Sequence, residues 1–363
     1  MKSFIKNNWA YILSGVAIGL VAFALTLMGN PANMGFCIAC FLRDISGSVG
    51  LHGAKVVQYV RPEIIGIVMG AFAISLLKRD FKPTAGSAPA LRFVLGAMVM
   101  IGALAFLGCP LRMVLRIGGG DLNALVALLG FVAGIGVGVI FLNNGFSLGR
   151  SYDQPKAEGV VAPVISLLLL FVVIFFPALL IFSETGPGSM HAPIWAALVA
   201  GLIVGIIGQR TRVCFAGGIR DAMMFKQFHM VWCLLSIIIT TLVANLIKAQ
   251  VTGTPMNFSF DGQPVAHSDH LWSIVGLFIV GLASVFLGGC PFRQLVLAGS
   301  GSGDSMVTVL GMIVGAALSH NFGLAGAAAN ATSAGGVSDV GAIFLCVCVV
   351  FLFVIGFFCR RKA

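Results

Sequence analysis

Ten apolar stretches constrain what this chain can fold into more than any other feature. They run near 9–29, 62–79, 91–107, 121–142, 160–182, 193–209, 230–248, 271–288, 304–320 and 340–358, each long enough, or nearly so, to cross a bilayer as a helix. With 59% hydrophobic and 9% charged residues among 363, the chain lies well outside the composition of soluble domains. The fold class expected is therefore an all-α polytopic membrane protein of about ten transmembrane helices. The first stretch follows Lys2 and Lys6 but is too long for a signal-peptide core and lacks a small-residue cleavage site, so it is expected to be an uncleaved anchor.

The segments between the apolar runs repeat. Gly108-Cys109-Pro110-Leu111-Arg112, with Gly118-Gly119-Gly120-Asp121 after it, returns as Gly289-Cys290-Pro291-Phe292-Arg293, with Gly299, Gly301, Gly303 and Asp304. Phe36-Cys37-Ile38-Ala39 with Arg43-Asp44 returns as Val213-Cys214-Phe215-Ala216 with Arg220-Asp221. The offsets, 181 and 177 residues, are nearly equal, which marks two homologous halves. A Cys-Pro step cannot continue a helix cleanly, because proline has no N–H to donate and the glycines loosen the next turn. The segments near 34–47, 109–118, 213–226 and 291–299 are too short to span and are expected to be four re-entrant half-helices. Paired interruptions of this kind mark the binding site in transporters built from repeats.

Formal net charge is +10, but the basic residues are scattered between apolar runs and not interleaved with aromatics, so nucleic acid is not an expected partner and their role is topology. With a cytoplasmic N-terminus, Lys2, Lys6, Lys78, Arg79, Lys82, Arg92, Arg150, Lys156, Arg210, Arg212, Lys226, Arg360, Arg361 and Lys362 share one side, against Lys55, Arg61 and Lys248 on the other. Five crossings precede the second motif pair, so the two repeats are expected to be inverted. The division expected is 1–150 for the first repeat, 151–192 for a linker and an extra helix, 193–320 for the second repeat, and 321–363 for a loop and a last helix.

Nine cysteines form no closely spaced disulfide framework. Four half-helices that carry Cys37, Cys109, Cys214 and Cys290 toward a constriction give a soft, polarisable path, and helix N-termini add donors for an anion. That combination suits a small sulfur or selenium anion better than a hard one such as phosphate. Arg112 and Arg293 follow each Cys-Pro without an acidic neighbour, and could draw anions inward; Cys40, Arg43, Asp44, Arg220 and Asp221 are accessory candidates, with each Arg-Asp step also readable as a structural ion pair. Cys37 and Cys40 form one C-x-x-C, outside any thioredoxin-like context. Cys233, Cys346, Cys348 and Cys359 read as small hydrophobes, and His52, His191, His229, His267, His270 and His320 as solvated or capping groups. Neither a metal site nor a cofactor is expected. The glycines at 299–303 lack the Gly-Lys-Ser/Thr of a P-loop.

The stretches 35–44, 108–112, 212–221 and 289–293 together resemble the YeeE/YedE sulfur-transport family, most of all its YedE-related membrane proteins linked with selenium metabolism. The resemblance spans nearly the whole chain. It implies a bacterial inner-membrane permease, hourglass-shaped and built from inverted repeats, that takes up a small inorganic sulfur compound such as thiosulfate. Weak S–H contacts would relay the substrate, and a TusA-type sulfurtransferase would receive the sulfur in the cytoplasm. Residue by residue, Cys37, Cys109 and Cys290 match the family's pore cysteines and Cys214 the equivalent repeat position; Cys40 and the arginines after each Cys-Pro fall outside that pattern. The chain is thus expected to be a carrier and not an enzyme, the alternative being a membrane-embedded thiol-dependent sulfur or selenium transferase. Reporters fused in the 80–90 loop and at the C-terminus should report the cytoplasm, and one in the 249–270 loop the outside; an outward C-terminus would break the ten-span count.

Overall fold

A computed structural model describes residues 2–360, with side chains from residue 8 onward. The side chains of Lys2 and Lys6, and residues Arg361 and Lys362, which enter the charge count, lie outside the described set. The order is α1 (Lys2–Leu27), α2 (Ile38–Ser48), α3 (Pro62–Leu77), α4 (Pro89–Ala105), α5 (Pro110–Gly118), α6 (Leu122–Asn143), a single turn α7 (Lys156–Gly159), α8 (Val161–Phe175), α9 (Ile194–Thr211), α10 (Phe215–Phe225), α11 (His229–Thr252), α12 (His270–Leu287), α13 (Pro291–Gly299), α14 (Gly303–Asn321) and α15 (Asp339–Phe358). The strands described are two antiparallel pieces of two residues, Thr84–Ala85 and Tyr152–Asp153.

The chain is an all-α polytopic membrane protein. Among the described residues, eight helical stretches are long and apolar enough to cross a bilayer, three of them a helix joined to the half-helix after it. Two of the ten expected spans are shorter than anticipated. α8 has 15 residues and ends before Pro177, which starts a 3-10 turn because it cannot donate to the preceding helix. α3 has 16 residues, about 24 Å at 1.5 Å per residue, and stops where Lys78 and Arg79 leave the apolar run. The four half-helices α2, α5, α10 and α13 fall on the expected segments.

The packing shows why the sequence repeats. Equating α1 with α9, α2 with α10, and so on through α6 with α14, turns the α3/α9 contact into α11/α1, and the α6/α12 contact into α14/α4. All four are among the most extensive helix pairs of the protein. The half-helices obey the same exchange: α5 packs on α11 as α13 packs on α3, and α2 on α14 as α10 on α6. Even single backbone bridges are duplicated, Thr84 with Ser302 and Asp121 with Ser259. The two halves are therefore interleaved around an approximate twofold axis and do not form separate lobes.

Apolar tails in lipid give helices no hydrophobic reason to associate, so close backbone approach has to supply the attraction. Glycines provide it at every major contact. A Cβ on Gly201 would lie 2.3 Å from the Glu63 carbonyl, one on Gly15 2.3 Å from the Cys233 carbonyl, one on Gly311 2.1 Å from the Phe93 carbonyl, and one on Gly134 2.2 Å from the Phe278 carbonyl. Gly136, two residues further along α6, meets nothing within 4 Å. Gly134→Ala should cost about 1–3 kcal/mol through overpacking and lower the melting temperature in detergent, whereas Gly136→Ala should leave it unchanged; equal effects would mean that α6 and α12 do not pack this way.

Candidate functional site

Each motif cysteine is the N-cap of one half-helix. Cys37 caps α2, Cys109 α5, Cys214 α10 and Cys290 α13. Their backbones pair as the repeat requires: Cys37 and Cys214 have φ/ψ of −148°/104° and −149°/118°, Cys109 and Cys290 −83°/170° and −68°/168°. The first pair caps with sulfur, since Cys37 Sγ accepts from Cys40 N at 3.2 Å and Cys214 Sγ from Gly217 N at 3.1 Å. In the Cys-Pro pair, proline at the first helical position removes an N–H that would need a partner.

The break before each Cys-Pro has a shared geometry with different residues. Leu107 and Gly288, at equivalent positions, both adopt positive φ, 62° and 78°. Glycine takes this conformation freely, whereas leucine is strained in it. Leu107 is held there by its carbonyl, which accepts from Arg112 Nη1 and lies 3.7 Å from Cys40 Sγ.

The cysteines meet in two clusters. In the first, Ile38 N donates to Cys109 Sγ at 3.3 Å, and Cys37 and Cys40 Sγ are 2.6 Å apart. In the second, Cys290 N donates to Cys214 Sγ at 3.4 Å. All five are free thiols and buried. Among the described residues no hydrogen bond joins one cluster to the other, although α2 touches α13 and α10 touches α5. Each cluster lies where two half-helix N-termini meet, so backbone N–H groups and two helix dipoles converge on sulfur.

The arginines after the two prolines differ. Arg112 is fully buried and donates to the Asn33 carbonyl at 3.2 Å, to the Pro264 and Val265 carbonyls at 3.3 and 3.1 Å, and to Cys40 Sγ at 3.7 Å. Val265 pays for this clamp with a φ of 50°, unusual for a β-branched residue. Asn33 and Pro264 also line a cavity of about 240 Å³ with Asn245, Lys248, Asn257 and Gln263. Arg293 is only partly buried and meets the Gly208 carbonyl at 3.3 Å and Gln209 Oε1 at 3.5 Å. The segment joining α11 to α12 reaches over Arg112, while the shorter one joining α3 to α4 has no such reach over Arg293.

The Arg-Asp steps are ion pairs, unequal in depth. Arg43 and Arg61 hold Asp44 from both sides at 2.7 Å each, all three at most 2% exposed. Arg61 also donates to the Met190 and Pro187 carbonyls at 3.1 and 2.8 Å. Arg220 and Asp221 pair at 2.8 Å but are 27% and 25% exposed. Sequence reasoning placed Arg61 in an outer loop and overlooked the buried Arg116–Asp121 pair at 2.6 Å. The available signal was a charge abutting a proline or glycine turn at the end of an apolar run. His52 and His267 are not solvated, as the sequence suggested they could be; they are buried against the Arg43 and Ala105 carbonyls at 3.0 and 2.8 Å.

The sequence profile of a family described as sulphur transport matches residues 1–109 and 210–362, well over half of the chain and all four motif cysteines. The chain belongs to this family. Within the family it is similar to the thiosulfate transporter TsuA of Spirochaeta thermophila, 30% identical over 113 residues, which is 30% of this chain and 31% of that one. It is also similar to the thiosulfate transporter TsuA of Escherichia coli, 28% identical over 125 residues, 34% of each chain. The chain thus spans about a third of the length of the curated relatives it matches.

Asp44→Asn would leave two buried guanidinium groups with one neutral partner. It should destabilise by about 3–5 kcal/mol, as breaking buried pairs does, while Asp221→Asn at its half-exposed counterpart should cost less than about 1 kcal/mol. Thermal melts of the two variants in one detergent check this, and a melt of Asp44→Asn that matches the parent protein would remove Asp44 from the scaffold.

Proposed function

We propose that this protein is a permease for a small inorganic sulfur anion, thiosulfate or a close selenium analogue, passed through the two cysteine clusters in turn. The observation that carries the reading is the pairing of helix N-termini with thiols in both repeats. N–H groups and dipoles favour negative charge, while sulfur offers soft, weakly hydrogen-bonding contacts that accept and release a polarisable anion easily. A carrier needs that balance, with binding favourable enough to enter and weak enough to leave. The names of the relatives, both thiosulfate transporters, support the same substrate class.

In this reading the anion enters through the cavity beside Lys248 and displaces the carbonyls that now hold Arg112. It then meets Cys109, Cys37 and Cys40, crosses to Cys214 and Cys290, and leaves past Arg293. Arg43, Asp44, Arg220 and Asp221 hold the half-helices in place. The protein sits in the bacterial inner membrane with both termini in the cytoplasm, where a TusA-type sulfurtransferase is the proposed receiver. The 2.6 Å approach of Cys37 and Cys40 favours a second reading, attack of a cysteine thiolate on the outer sulfur of thiosulfate with cleavage of its S–S bond and release of sulfite, in which the protein itself would retain outer-sulfur label as a persulfide.

Proteoliposomes containing this protein alone, given ³⁵S-thiosulfate, separate the two: a permease fills the lumen, and a transferase leaves label on cysteine. Cys109→Ala and Cys290→Ala should each remove most uptake without loss of folded protein. Arg112→Gln should weaken it, because little solvent screens a buried charge. Cys346→Ala, on the exposed face of α15, should be silent. Uptake at the parent level in a Cys109→Ala/Cys290→Ala double variant would end the cysteine-path reading.

A further inference from the structure

Glu63 is a buried charge that the proposed path does not use. It stands at the second position of α3, is 0% exposed, and has two differently placed oxygens. Oε1 accepts from Asn30 Nδ2 at 2.8 Å, whereas Oε2 has no hydrogen-bond partner among the described residues. The Tyr59 hydroxyl, four residues earlier, is also buried and, among the described residues, also without a partner. Two orphan polar atoms in one short buried segment are rare, because each costs the desolvation of a group that gains nothing in return.

Each of the two groups has a polar neighbour of its own. Tyr59 stacks on His191 with ring centroids 4.0 Å apart and planes 7° from parallel, and His191 is exposed in the segment before α9. At the other end, the Asn30 amide that bonds Glu63 also donates to the Gly35 carbonyl at 3.2 Å, two residues before Cys37. The segment 59–63 is thus flanked by an exposed imidazole at Tyr59 and, through Asn30 at Glu63, by the turn that carries the first thiol cluster.

The other charges facing Glu63 do not neutralise it. Arg61, on the same segment, is committed to Asp44 and to two carbonyls, and Asp44 is shared with Arg43 on α2. α9, packed along α3, sets Gly201 against the Glu63 carbonyl and carries no titratable residue before Arg210. Among the described residues no ion pair reaches Glu63. An ionised carboxylate with a bare oxygen is costly in such a place, and a protonated one has a donor with nothing to receive it. Either state is improved by a change in the surroundings, which suits a group that takes up and gives up a proton during a cycle.

We propose that Glu63 carries a proton with the anion, so that the protein is a proton–anion symporter. The inference rests on the permease reading. A hydronium ion on the His191 side gives its proton to Oε2 and becomes water, and the carboxylic acid later gives that proton to a water on the cytoplasmic side, regenerating the carboxylate; in each transfer one O–H bond breaks as another forms. Carrying one proton with a dianion halves the charge moved across the membrane and so reduces the opposition of an inside-negative potential.

The test uses the full chain in proteoliposomes with labelled thiosulfate. An outside pH lower by about one unit should raise accumulation about tenfold for one proton per anion, and a protonophore should abolish the gain. Glu63→Gln keeps the acceptor for Asn30. It should lose this gain yet still exchange internal for external thiosulfate at equal pH. Tyr59→Phe, which removes an oxygen without a partner, should slow the pH-driven phase and spare exchange. Accumulation that ignores the pH difference while exchange proceeds would overturn the symport alone, as would a Glu63→Gln protein that responds like the parent or loses exchange and accumulation together. No exchange by the parent protein would overturn the permease reading and this inference with it.

Discussion

A helix that begins inside a membrane brings its first N–H groups to a place with no water to receive them. This protein begins four helices in that way, and much of its structure answers that requirement. Sulfur from Cys37 and Cys214 takes an N–H of the helix each one caps, and proline after Cys109 and Cys290 removes another. The cysteines are thus structural before they are functional. They are where they are because a half-helix cannot start in an apolar interior without an acceptor, and thiol is among the least polar acceptors available.

The approximate twofold exchange follows from this. Two half-helices per repeat need four flanking helices to shield them, and the glycine-lined pairs α3/α9, α1/α11, α6/α12 and α4/α14 bring those helices close enough to do so. Because each pair takes one helix from each half, neither repeat encloses its own cysteines by itself. α8 and α15 pack at the margin of this arrangement, α8 on α3 and α13, α15 on α12 and α4. The charged residues inside are similarly shared: the Asp304 carboxylate of α14 accepts from Gly86 and Ser87 of the first half at 3.0 and 3.1 Å.

What could be read from the sequence was local. A Cys-Pro step followed by glycines breaks a helix through its own covalent chemistry, and the repeated cysteine and Arg-Asp motif marked two further segments too short to span, so the half-helices could be placed to within a few residues. The spans came from apolarity; α8 was overdrawn because apolar residues continue past the point where the helix stops, and α3 because its expected end took in Lys78 and Arg79. Partners across the fold were not legible. Nothing near Arg112 in sequence announces the carbonyls of Pro264 and Val265, and nothing near Glu63 announces Asn30. Nor did the nearly equal offsets of the repeated motifs reveal that their sulfurs form two groups, since that depends on which helix ends face each other.

The identity of cap and contact has a consequence for turnover. The N–H groups that would attract an anion at each cluster already have acceptors, Ile38 N in Cys109 and Cys290 N in Cys214. On the proposed path an arriving anion would therefore exchange one acceptor for another and gain little on balance. Competition from the scaffold itself would keep affinity shallow, and a departing anion would leave behind helix ends that sulfur can cover at once. A wall of this kind would heal after every passage, which favours rapid throughput over retention.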